Sequence, residues 1–190
     1  MTKQNSNHSY LISAITLAVI LSGCFAIHQD SGFKSVFTSL NNCQSFTDQT
    51  DPNSTPYKVC PGVAGYQLVV RKVGAGRKSI EIVRDSQPPF PLSYQALVTK
   101  QMFHLGEQAE WRVAESSNGI KPVALIAEIH AHENLDEPDQ VTTTFLAVAK
   151  ITEAEICVTD VIDQQGISRQ QLQQLADKAQ QSACIGSPPD

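Results

Sequence analysis

Glu128, His130 and His132 stand at alternate positions of the chain, and Glu133 follows at once. In an extended strand alternate side chains share one face, so two imidazoles and a carboxylate would meet there. Such a set suits zinc or copper, for which neutral imidazole and carboxylate are ordinary donors. The same spacing has a plainer meaning. Val123, Leu125, Ala127 and Ile129, of the opposite parity, are apolar, so the Glu/His/His face is also where a half-buried strand meets water.

The one tryptophan, Trp111, lies between Glu110 and Arg112. Exposed, Trp111 with Arg112 would form a binding anchor. Buried, the indole would serve the core, which is the favoured reading, and Glu110 and Arg112 would then face outward. Tyr66 and Phe145 are read as core in the same way. No G-x-S-x-G elbow marks a nucleophile, and His104, Asp160 and a serine could form a hydrolytic set only if the fold assembled them. In residues 72–79, Lys72 and Arg77 occupy two glycine positions of a phosphate loop, so no nucleotide site and no resident cofactor is expected.

Charge narrows the partners. The chain carries 14 Lys+Arg against 19 Asp+Glu, a formal net charge of -5. With no basic stripe on an acidic chain, nucleic acid is not an expected partner.

The elements that position these groups follow an export segment. Residues 1–10 are polar with a single Lys3, and residues 11–21 (LISAITLAVIL) are apolar but too short to span a bilayer. Leu21-Ser22-Gly23-Cys24 follows and resembles the lipobox of bacterial lipoproteins. That resemblance implies cleavage before Cys24 and acylation of its thiol and amine, and two or three acyl chains hold a protein firmly in a membrane. Phe25 in place of aspartate implies, by the same resemblance, the periplasmic face of the outer membrane. An ordinary secretory signal with an incidental Cys24 is the alternative.

Five cysteines are odd in number, and assigning Cys24 to lipid leaves Cys43, Cys60, Cys157 and Cys184. Three connectivities are possible; Cys43 with Cys60 and Cys157 with Cys184 close local loops and are favoured. The expected organisation is a signal at 1–23, a tether at 24–35, one domain at 36–185 and a tail at 186–190, with the stretch between Cys43 and Cys60 a surface loop.

Alternation from Tyr66 to Arg71 and from Ser79 to Val83, with Gly74 and Gly76 between, reads as a hairpin. Residues 99–107 read as a short helix or irregular chain. Residues 123–129, 141–151 and 154–162 read as antiparallel strands. From Ser168 the period becomes helical, through Leu172, Leu175, Ala176, Ala179 and Ala183, and Ser168 with Gln171 forms a capping-box pair. The expected fold is α+β: an antiparallel sheet with a C-terminal helix on one face, stapled by two disulfides.

Five stretches together carry a further likeness: Phe37-Thr-Ser-Leu-Asn-Asn-Cys43, Cys60-Pro-Gly-Val-Ala-Gly-Tyr66, Ala109-Glu-Trp-Arg112, Pro122-Val-Ala-Leu-Ile126 and Leu175-Ala-Asp177. In them the chain resembles an uncharacterised family of exported bacterial proteins. The resemblance implies one fold unit over most of residues 36–185 and no particular activity. The expected role is an envelope-anchored binding or accessory lipoprotein, attached to membrane by its lipid and facing an envelope protein or cell-wall partner. A metal-binding protein or metal-dependent enzyme using Glu128, His130 and His132 is the alternative, and a purely structural envelope protein the third.

Overall fold

A computed structural model describes residues 32–48, 54–74, 76–85, 87–117 and 119–186. The expected signal, Cys24 and most of the tether lie outside these residues. Among the described residues no helix is long and apolar enough to cross a membrane.

In chain order the strands are β1 (Phe33–Ser39), β2 (Gln44–Phe46), β3 (Tyr57–Cys60), β4 (Tyr66–Lys72), β5 (Lys78–Arg84), β6 (Phe90–Pro91), β7 (Met102–Ser116), β8 (Gly119–His132), β9 (Thr143–Ile151) and β10 (Ile156–Asp163). A short helix α1 (Tyr94–Leu97) precedes β7, and helix α2 (Arg169–Lys178) follows β10. The strands form two antiparallel five-stranded sheets, β1-β7-β8-β9-β10 (sheet I) and β2-β3-β4-β5-β6 (sheet II). The α+β class, the C-terminal helix and both disulfides, Cys43–Cys60 and Cys157–Cys184, are as the sequence predicts. The strands divide between two sheets.

The reason is the two-sided burial of sheet I. Its odd-numbered face on β7 and β8, with Trp111, Val113, Leu125, Ala127 and Ile129, packs against Leu68, Val70, Ile80 and Ile82 of sheet II. Its other face is covered by α2. Leu172, Ala176 and Ala179 form a second apolar cluster with Ala124, Ile126, Leu146 and Val148. Alanines on both sides let the helix approach closely, and Leu172, 3% exposed, contributes roughly 1.5–3 kcal/mol by burial. The layers are therefore sheet II, sheet I, helix.

Both ends of α2 are fixed locally. The Ser168 hydroxyl accepts from the Gln171 amide, and the Gln171 side chain accepts from the Ser168 amide. Past the helix the Cys157–Cys184 bridge and a bond from the Ile185 amide to the Val158 carbonyl, 2.8 Å, tie the chain to β10. The bridge clamps helix to sheet as expected.

Three sequence expectations are corrected. Residues 99–107 are neither helix nor irregular throughout: from Met102 they are the first half of the fifteen-residue β7. The alternation fails there because the strand bulges. Leu105 pairs with Ile129 and Ala109 with Ala127, so residues 106–108 all lie opposite Glu128. The fold begins before residue 36: Phe33, Lys34 and Ser35, assigned to the tether, pair with Ala114, Val113 and Arg112. Between Cys43 and Cys60 the chain is not only loop, since β2 and β3 pair across it from Gln44↔Val59 to Phe46↔Tyr57.

Candidate functional site

Helix α2 stops short of the full length of sheet I, so one face of β8 changes character along its length. Ala124 and Ile126 lie under the helix, while Glu128, His130 and His132 continue the same face beyond it and are partly exposed. Where cover ends, a cavity of about 460 Å³ opens between the start of α2 and the sheet. Ile126, Leu146 and Leu172 form its apolar floor, and Glu107, Glu128, His130 and Arg169 are among its polar lining.

The strand bulge shapes the polar end. At Gly106 an added Cβ would stand 2.9 Å from the Glu128 Cβ and 3.1 Å from its Oε2. Only glycine leaves room for the Glu128 side chain to lie across β7 there. Glu128 Oε2 is 3.7 Å from His130 Nε2, and His130 Nδ1 is 3.0 Å from the Thr144 hydroxyl.

Sheet pairing adds a third imidazole that sequence spacing did not show. His104 on β7 is the cross-strand partner of His130. Its Nδ1 lies 2.9 Å from His132 Nε2, and the His104 and His130 rings are 4.9 Å apart. Burial, then the neighbouring His130, His132 and Lys78, lowers the His104 pKa below the ordinary histidine value. His104 is thus held by histidines and not by Asp160. His130 and His132 do come together on one face, as the alternation predicts, but Glu128 reaches only His130.

In this geometry no three of the histidine and carboxylate donors at this end lie within 4.8 Å of one another. Among the described residues such a trio occurs at Glu155, Cys157 and Cys184, where both sulfurs are joined in the disulfide.

Trp111 is not an exposed anchor. It is 0% exposed, donates from Nε1 to the Thr38 hydroxyl at 2.9 Å, and meets Tyr66 at 6.2 Å between rings, within the core. Glu110 and Arg112 do point to the opposite face, but that face is covered, and both are 5% exposed. The expectation that they reach solvent, and that Arg112 helps to bind a partner, is corrected on this ground. Arg112 donates to both Asp177 carboxylate oxygens on α2, at 2.7 and 3.0 Å, and to the Ser35 hydroxyl at 2.5 Å. Ser35 in turn donates to Glu110, whose other oxygen accepts from Arg169 at 2.7 Å. Gln173 donates to the same Glu110 oxygen as Ser35, at 3.0 Å. These groups lock the helix to β1 and β7 beside the cavity, and Arg169 also sits 5.2 Å over the Phe37 ring at its rim.

No protein-family model, curated protein or solved structure matches the chain in comparison.

Proposed function

We propose that this chain is an exported lipoprotein, anchored through Cys24, whose domain is a non-enzymatic binding or accessory module of the cell envelope. The observation that carries the binding role is the cavity where α2 leaves sheet I uncovered. A rigid sheet, a locked helix and two disulfides preform it, so little ordering remains to oppose binding. Its rim mixes carboxylates, an imidazole, a guanidinium and the half-exposed Phe37, a composition suited to an envelope protein or a cell-wall component. Disulfides fit an oxidising compartment outside the cytoplasm. The likeness to exported bacterial proteins and the Leu21–Cys24 motif agree with that placement.

Anchoring is tested by Cys24→Ser. Wild type should label with radioactive palmitate and sediment with membranes, and the variant should lose both. Unchanged labelling and sedimentation in the variant would show that Cys24 is not the anchor. Ligand contact at the cavity is tested with Leu146→Trp, which fills the floor, and a retained partner set would place binding elsewhere.

A further inference from the structure

We propose that His104 and His132 form a two-imidazole clamp for divalent copper. The proposal is independent of the anchoring and of the cavity's occupant. Its first ground is a distance. Imidazole nitrogens bind such metals at about 2.0–2.1 Å, so two of them stand about 2.9 Å apart at a right angle and about 3.3 Å apart at a tetrahedral one. The His104 Nδ1 and His132 Nε2 separation of 2.9 Å matches the right angle. Tetragonal nitrogen sites select copper(II) or nickel(II), and copper binds more tightly in the general order of divalent metals.

The second ground is the clustering of the rings. Each imidazole can turn a lone pair to this contact only by carrying its proton on its other nitrogen, and the rings are already clustered for it: His104 lies 5.1 Å from the His132 ring and 4.9 Å from the His130 ring. Copper would take the place of the proton between the two nitrogens, that proton moving to the other nitrogen of its own ring.

His130 is oriented from behind. When its Nδ1 donates to the Thr144 hydroxyl, 3.0 Å away, Nε2 carries the lone pair. That nitrogen faces Glu128 at 3.7 Å, so it points to the carboxylate and His130 stands beside the clamp without being one of its donors. Lys78 is a nearby fixed cation that opposes a metal here.

The test is copper(II) titration of the purified full chain, followed by electron paramagnetic resonance. One copper per chain with superhyperfine coupling to at least two nitrogens is expected. His104→Gln, at an exposed position, should weaken binding by at least about 10–100-fold, as should His132→Asn. His28→Gln, in the expected tether, should leave it unchanged. Copper binding equal in wild type and His104→Gln, or a spectrum without nitrogen coupling, overturns the site. Loss of binding in His28→Gln would assign the copper to the tether and overturn it equally.

Discussion

Asp177→Ala should be among the most destabilising single changes outside the apolar core. The Arg112 and Asp177 side chains are 6% and 7% exposed and meet through two parallel bonds of 2.7 and 3.0 Å. Removing the carboxylate leaves a guanidinium buried between β7 and α2 with only the Ser35 hydroxyl and, at 3.4 Å, the Phe33 carbonyl. Breaking a buried pair from one side costs about 3–5 kcal/mol, since the survivor stays desolvated and uncompensated. Replacing both partners with apolar side chains, Arg112→Met with Asp177→Leu, should return to within about 1–2 kcal/mol of wild type. Ser35 and Glu110 keep their remaining partners in that double variant, because Arg169 and Gln173 still reach Glu110. Urea unfolding, with disulfides intact, of wild type, Arg112→Met, Asp177→Leu and the double variant closes the cycle, with Asp177→Ala measured beside them. An Asp177→Ala cost under about 1 kcal/mol, or a double variant as unstable as the single, would refute the reasoning.

Three further outcomes follow from the same geometry. Gly106→Ala should destabilise by about 1–3 kcal/mol through its clash with Glu128, and Glu128→Ala should relieve part of that loss in thermal melts. Replacing both Cys157 and Cys184 by serine should cost about 3–4 kcal/mol, the chain-entropy value for a bridge spanning 27 residues, and should free the end of α2 first, read as faster amide exchange there than in β8. Because the His104 pKa is lowered in the fold, the unfolded chain binds the proton more readily. Stability from this group is therefore complete above the ordinary histidine value and is lost as pH falls through the folded one. His104→Gln should flatten the acid limb of the melting-temperature profile below about pH 6.5, and an unchanged limb would remove His104 as its cause.

Much of the scaffold was legible because it is written locally. The Cys43–Cys60 and Cys157–Cys184 pairing follows from short loops, the β4–β5 hairpin from alternation around Gly74 and Gly76, and α2 from a helical stripe behind a capping box. What was hidden depends on pairing at a distance. The polar residues Gly106, Glu107 and Gln108 interrupt alternation at the bulge, so β7 does not read as one long strand. Glu110 and Arg112 alternate with core residues and therefore read as solvated, yet α2, some 60 residues later, covers them with matching partners. His104 joins His130 and His132 only through the β7–β8 register. The alternation of Glu128, His130 and His132 did locate the open end of the sheet, because polar residues persist where the helix gives no cover.

The account's central claim is that the uncovered end of sheet I is the working surface of an anchored envelope module. The most direct measurement is in-cell photocrosslinking from Gln164, an exposed residue of the cavity lining, in the lipidated chain, with Cys24→Ser and an exposed control site at Gln67 in parallel. The account predicts one reproducible adduct from Gln164, absent from Gln67 and lost when Cys24 is replaced. Identical adducts from both sites, or a Gln164 adduct indifferent to Cys24, would contradict it.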